Sequence, residues 1–160
     1  MSRAWIAPIA VAAILAAIVA VMGATVTQLG PWYYSLEQPR WAPPPAAYGV
    51  AWTAIYALTG LAGVTAWLAT PRWSEREWLL GLFALNGFLN IVWSLLFFRL
   101  QRPDWALMEV LALWLSVLAL IVFIWRRSTT GSVLLIPYLL WVTFAGYLNM
   151  TIVRLNGPFS

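Results

Sequence analysis

An all-α bundle of five transmembrane helices, with a long structured loop between the first and second spans, is the fold this sequence predicts, on three observations. Hydrophobic residues fill 63% of the 160 positions and charged ones 9%, against the roughly 25% charged residues that cover soluble domains. Five segments, at about 5–28, 47–69, 78–99, 105–125 and 132–153, each supply the roughly 20 apolar residues a helix needs to cross a bilayer. The breaks between them collect the punctuation: Gly30-Pro31 and Pro39 through Pro45, Thr70-Pro71-Arg72, Arg102-Pro103-Asp104, and Arg126 through Gly131. The length fits one domain over 1–160, and the lipid bilayer is its first partner.

The first segment follows Arg3, as a secretory signal would, but its apolar run of about 24 residues exceeds the roughly 7–15 of a signal. Ala12, Ala16, Ala20 and Ala24 recur at four-residue spacing, a ladder that lets another helix approach closely, inside the bundle or at a subunit interface. The second segment carries Trp52 and Tyr56 in its first half. In the third, Asn86, Asn90, Trp93 and Phe97 fall on one stripe at about 100° per residue. Two carboxamides facing lipid would go unpaired, so this stripe is expected to face the bundle or a cavity, with Gly81 and Ala84 on the opposite face offered to another helix or subunit. The fourth segment holds Glu109, the only acid within a span, which either snorkels, pairs with Arg99 or Arg102, or handles protons. The fifth carries Trp141, Tyr147 and Asn149.

Residues 30–46 form the expected lid. The stretch PWYYSLEQPRWAPPP at 31–45 is read as non-helical, because Pro39, Pro43, Pro44 and Pro45 remove donors and favour extended geometry. Trp32, Tyr33, Leu36 and Trp41 give it apolar surface that needs burying, so it should fold over the helix ends. Chain direction then puts Trp52, Tyr56, Asn90, Trp93, Glu109, Tyr147 and Asn149 in the half-membrane beside the lid, with Asn86, Trp114 and Trp141 in a deeper layer. A polar and aromatic cavity opening towards the lid satisfies them.

The chain has twelve tryptophans and neither histidine nor cysteine, which removes the usual metal ligands, acid–base catalysts and thiolate nucleophiles. No catalytic residue and no metal-ligand set is nominated. Eight tryptophans (Trp5, Trp32, Trp41, Trp67, Trp73, Trp78, Trp105 and Trp125) lie near segment ends, as an interfacial aromatic belt does. Trp52, Trp93, Trp114 and Trp141 lie inside the hydrocarbon, where each indole N–H needs a partner. All nine basic residues are arginine, and the longest basic run is Arg126-Arg127, so nucleic acid is not an expected partner. Five arginines on the N-terminal side against four on the other lean towards a cytoplasmic N-terminus.

The lid pattern W-Y-x-x-L-x-x-P-x-W-x-P-P, met by Trp32, Tyr33, Leu36, Pro39, Trp41, Pro43 and Pro44, resembles the signature of the tryptophan-rich sensory protein family (TspO/MBR), which includes the mitochondrial translocator protein or peripheral benzodiazepine receptor. AWTAIY at 51–56, N-x-x-W-S-x-x-F-F at 90–98, PYLLWVTFAGYLN at 137–149 and RLN at 154–156 extend the likeness over most of the chain. The resemblance implies a five-helix bundle, a homodimer, in a bacterial inner membrane or mitochondrial outer membrane. It implies a cavity under the first loop that binds protoporphyrin IX, haem and benzodiazepine-type ligands, with no obligatory cofactor. At matching positions the ligand-binding residues would be Tyr33, Trp52, Asn86, Asn90, Trp93, Trp141 and Ala145. The family's C-terminal sterol pattern fails here by one residue, since six separate Tyr147 from Arg154.

The function expected is that of a membrane receptor or sensor holding a tetrapyrrole by stacking. Axial haem ligation would need Met or Tyr, and Met22, Met108 and Met150 show no convergence. Light-dependent porphyrin degradation is a second reading, resting on photosensitisation because no nucleophile–base pair is visible. Porphyrin transport is a third; alternating access usually leaves repeats or broken helices with buried charges, and here only Pro137 interrupts a span, near one end, while Glu109 is the sole acid within a span.

Overall fold

The computed structural model describes residues 3–27 and 29–159, with the side chains at 3–5, 23 and 26 outside that description. Among the described residues every regular element is helical. Five long helices, α1 (Arg3–Val26), α3 (Pro45–Ala69), α4 (Trp73–Ser94), α5 (Pro103–Trp125) and α7 (Ile136–Asn156), form the bundle, with short helices α2 (Pro31–Ser35) and α6 (Thr129–Val133) in two of its connections. α1 packs on α3 and α4, α4 on α5, and α5 on α7, while α3 and α7 touch sparingly.

The bundle is apolar outside as well as inside. In the most apolar stretch of each of the four spans that contain α3, α4, α5 and α7 only 22% to 33% of residues are buried, and Val50, Phe88, Met108, Val122 and Leu140 are among the large side chains left exposed. Such a surface is stable only against lipid, so this is an integral membrane protein. α1 contributes the apolar stretch Ile6–Met22 within its 24 residues.

Helix boundaries follow local chemistry. α3 starts at Pro45 because proline at the first helical position gives up an N–H that would be unpaired anyway. α4 begins five residues before the expected 78, at Trp73, with Glu75 in its first turn complementing the helix dipole. Glu75 also receives Arg127 at 3.1 Å and Arg72 at 3.4 Å, outside the apolar band. The expected single span at 132–153 is instead broken: Ser128 Oγ caps α6 by accepting the Gly131 N–H at 3.0 Å, and α7 starts afresh at Ile136. Pro137 explains the break, since its ring excludes the carbonyl four residues back. The lid differs too, because residues 31–35 are helical rather than extended. Pro31 sits at the N-terminus of α2, where proline favours a helix, and the prolines from 39 onward act only after that turn has ended.

α4 finishes in a π-helical turn, Leu95–Arg99. Gln101 then takes φ 55°, reversing the chain into α5. A left-handed backbone costs a non-glycine residue about 1–2 kcal/mol, and the Gln101 side chain is exposed. Gln101→Gly is therefore expected to raise stability by about 1 kcal/mol, read as a higher melting temperature in detergent. An unchanged or lower value would show that the turn is not strained.

Interhelical hydrogen bonds join the spans. Asn86 Nδ2 donates to Ser116 Oγ of α5 at 2.8 Å. Asn90 accepts from the Tyr56 hydroxyl of α3 at 3.1 Å and donates to the Tyr138 oxygen of α7 at 3.2 Å, so one carboxamide holds three helices. The carboxamide of buried Asn149, placed with its oxygen towards α5, accepts the Leu107 N–H at 3.1 Å and donates to the Pro103 carbonyl at 2.9 Å. Trp114 donates to Thr143 Oγ1 at 2.9 Å while packing on the core, which satisfies its indole. Arg102 pairs with Asp104, its Nε 2.8 Å from Oδ1, and lies over Trp105 at 4.2 Å. The expected partners of Glu109 are therefore not taken up: both its carboxyl oxygens are buried with no hydrogen-bond partner among the described residues.

Candidate ligand-binding cavity

The lid closes the end of the bundle where α3 and α5 begin. Leu36 is buried in a cluster with Phe97, Leu148 and Ile152. Trp32 stands edge-on to Phe97 at 6.1 Å, Tyr33 meets Phe98 at 5.8 Å, and Trp41 stacks on Tyr147 at 5.2 Å and 22°. Asn156, at the end of α7, grips the lid backbone from both sides, accepting the Glu37 N–H at 2.7 Å and donating to the Glu37 carbonyl at 3.0 Å. Pro39 supports the turn through its carbonyl, which accepts the Ala42 N–H at 2.9 Å, and the Pro44 carbonyl does the same for Ala47 at the start of α3. Pro43 is half-buried between these turns. The lid is a fitted roof, tied at both ends.

Beneath it lies a cavity of about 430 Å³, within the range of small-molecule sites. Its walls come from α1 (Ala20, Ala24), Leu29 just before the lid, the lid (Tyr33), α3 (Tyr48, Trp52, Tyr56), α4 and its π-helical turn (Trp93, Phe97, Phe98) and α7 (Trp141, Ala145). Trp52 stacks on Tyr56 at 5.4 Å and 26°, and Trp93 on Phe97 at 5.3 Å and 26°. Trp141 stands edge-on to Tyr48 at 6.0 Å and to Trp52 at 6.3 Å. Trp141 therefore belongs with the lid-side aromatics and not in a deeper layer as expected; its ring packs on Tyr48, in the first turn of α3.

Of the seven residues named from sequence, Tyr33, Trp52, Trp93, Trp141 and Ala145 line this cavity, and Asn86 and Asn90 do not. The two asparagines are 4% and 3% exposed, and their amides are used in the bonds to Ser116, Tyr56 and Tyr138. The stripe on α4 thus divides. Its deep half joins helices, and its lid-side half faces the cavity. Tyr48 was missed, although Tyr48, Trp52 and Tyr56 recur at four-residue spacing on α3. Ala20 and Ala24, read as a ladder for helix approach, also leave the room that the cavity occupies.

The cavity is mostly apolar, with Tyr33, Tyr48, Thr53, Tyr56 and Ser94 among the polar residues of its lining. Burial lifts the Tyr33 phenol above its usual pKa; hydrogen-bonding contact from Tyr48 opposes this, Tyr34 adds to it, and Gln38 opposes it. Tyr33 thus stays a neutral donor at physiological pH. The Tyr48 hydroxyl, both amide atoms of Gln38 and the Trp141 Nε1–H are buried without a completed hydrogen bond.

Of the tryptophans assigned to the interface, Trp73, Trp78, Trp105 and Trp125 are exposed at the helix ends, and Trp67 is covered by Arg76 at 4.6 Å. The Trp5 side chain lies outside the described residues.

A five-helix membrane bundle with a roofed, aromatic cavity between its spans is the class of protein that this fold and site define. The chain belongs to the TspO/MBR family, whose model matches residues 9–155. It is 38% identical over 128 residues to the tryptophan-rich protein TspO of Chlorobaculum tepidum, covering 78% of this chain and 80% of that one. It is 40% identical over 126 residues to the tryptophan-rich protein TspO of Archaeoglobus fulgidus, covering 79% and 80%. With the human translocator protein it shares 31% over 126 residues, covering 78% and 75%.

Proposed function

We propose that this protein is a membrane receptor or sensor that binds a tetrapyrrole, protoporphyrin IX or haem, and benzodiazepine-type ligands in the cavity under the lid. The observation that carries this is the wall itself. Trp52, Trp93 and Trp141 from three different helices surround one apolar space, and flat aromatic ligands gain most from such rings. The name of a relative from Cereibacter sphaeroides, a tryptophan-rich sensory protein 35% identical over 125 residues, supports the sensory part of the reading. The tetrapyrrole is a ligand, with no obligatory cofactor. Met22 and Met108 are exposed, and among the described residues no methionine lines the cavity. Tyrosine is thus the one wall residue type able to ligate a haem iron, and a metal-free porphyrin held by stacking fits equally well. A homodimer belongs to the proposal, with α4 presenting Gly81 and Ala84 outward beside Phe88.

Titration with protoporphyrin IX is expected to quench the intrinsic fluorescence of the wild type, with affinity reduced about tenfold in Trp141→Phe and further in Trp93→Ala, since an aromatic contact and its buried area contribute about 1–3 kcal/mol. Superimposable curves for all three proteins would remove the cavity as the site.

One arrangement favours a second reading, light-dependent porphyrin degradation. Trp141, Trp52 and Tyr56 form a continuous series of rings with centroids 5.4 to 6.3 Å apart, able to donate electrons to an excited bound porphyrin. A product that accumulates under light and not in the dark, and less in Trp141→Phe, would favour it over static binding.

A further inference from the structure

We propose that Tyr33, Gln38 and Tyr48, with the Trp141 N–H, form a carboxylate-binding subsite at the lid end of the cavity. The proposal deepens the ligand reading above and rests on it. Gln38 comes from the lid and Tyr48 from the first turn of α3, and both amide atoms of Gln38 and the Tyr48 hydroxyl are buried without a completed hydrogen bond. The Tyr33 phenol faces both of them. Tyr33 and Tyr48 line the cavity. Trp141 stands against the Tyr48 ring at 6.0 Å, and its indole N–H is likewise unpartnered.

Such groups are costly where they stand. Each buried polar group left unsatisfied destabilises a fold by about 1–3 kcal/mol, yet elsewhere this bundle gives its buried amides Asn86 and Asn90 partners on neighbouring helices. Among the described residues five have such unpaired atoms: Gln38, Tyr48 and Trp141 stand where lid, α3 and α7 meet, and the other two are Thr59 on α3 and Glu109 on α5. Their chemistry selects the occupant: the Trp N–H only donates, the two phenols donate readily, and the Gln amide adds two donor hydrogens while its oxygen can accept from a neighbouring phenol. A carboxylate, which only accepts and has about four lone-pair sites, matches that set. Charge agrees with it. Arg40, Arg99, Arg102 and Arg154 lie on the lid side against Glu37, Glu109 and Asp104, the last paired with Arg102, and the remaining arginines draw an anion towards this end. A ligand would then lie with its ring among the tryptophans and its acidic edge under the lid.

The test compares protoporphyrin IX with its dimethyl ester, which keeps the macrocycle and removes both carboxylates, on wild type, Tyr48→Phe and Gln38→Leu. Wild type is expected to bind the free acid about tenfold more tightly than the ester, the worth of hydrogen bonds to a charged acceptor. Tyr48→Phe and Gln38→Leu are each expected to lose affinity for the free acid by a larger factor than for the ester, and so to reduce or erase that preference. Equal binding of acid and ester by wild type overturns the subsite alone and leaves the cavity reading standing. So does an equal loss for both ligands in the variants, which would mark a shape effect. Failure of both compounds to bind wild type overturns the tetrapyrrole reading and the subsite with it. Melting temperatures in detergent identify a variant that has lost its fold, and Tyr48→Phe, which removes a single oxygen, is the decisive one.

Discussion

Ala145→Phe is expected to reduce porphyrin affinity by about a hundredfold or more while the protein remains folded. Ala145 is half-buried on α7, one turn from Trp141, and lines the cavity opposite the walls formed by α3 and α4. A benzyl group there enters space that the core does not occupy, so it avoids the about 1–3 kcal/mol that overpacking a filled interior costs. The ligand must then give up that volume together with its contacts to Trp141, and a loss of about 3 kcal/mol corresponds to that hundredfold. Quenching titrations read the affinity, and the melting temperature in detergent reads the fold. Undiminished affinity would place the ligand elsewhere on the molecule.

Replacing Asn90 is expected to have the largest effect on stability. Its carboxamide links Tyr56 of α3 and Tyr138 of α7 from its place on α4, and Asn90→Leu leaves both hydroxyls without that partner. Tyr138 is 3% exposed, so its hydroxyl has no water to turn to. Hydrogen bonds within membranes average about 0.6 kcal/mol each, while an orphaned buried group costs about 1–3 kcal/mol. The orphan dominates, and a loss of about 2–4 kcal/mol follows. Asn86→Leu provides the contrast. It breaks one bond to Ser116, whose hydroxyl still donates to the Leu113 carbonyl at 2.7 Å, so a loss of about 1 kcal/mol is expected. Denaturation in mixed detergent micelles measures both. Equal losses would mean that the three-helix junction has no special weight. Because Tyr56 also stacks on Trp52 in the cavity wall, Asn90→Leu should weaken the ligand site as well.

The same two positions mark how far the sequence could be read. The spacing of Asn86, Asn90, Trp93 and Phe97 correctly turned one face of α4 away from lipid, because unpaired amides are costly in hydrocarbon. It could not say what each amide would meet. A partner on another helix and a ligand satisfy a carboxamide equally, and only the placement of Ser116, Tyr56 and Tyr138 decided for partners. Glu109 illustrates the opposite failure: arginines close in sequence suggested a pair, and Asp104, two residues from Arg102, took that partner first.

The lid was legible because its signals are local. Five prolines and two tryptophans define a rigid, apolar strap whatever lies beneath. Its latch was not. Asn156 and Glu37 are 119 residues apart, and nothing in the RLN segment announces a grip on the lid backbone. Tyr48 was hidden in the same way, since an aromatic residue at the mouth of a span reads as an interfacial anchor until Trp141 is found against it.

By itself, then, the sequence determined that the chain enters a membrane, where its helices begin and end to within a few residues, and that a proline-stiffened lid covers one end. Each of these depends on hydrophobicity or backbone geometry over a few turns. Only the tertiary structure decided which aromatic rings enclose the cavity, which asparagines join helices, and which donors remain unpaired under the lid. Lipid is as apolar as a protein core, so hydropathy does not separate the inside of this bundle from its outside. That distinction is made by contacts between helices, and those exist only once the chain has packed.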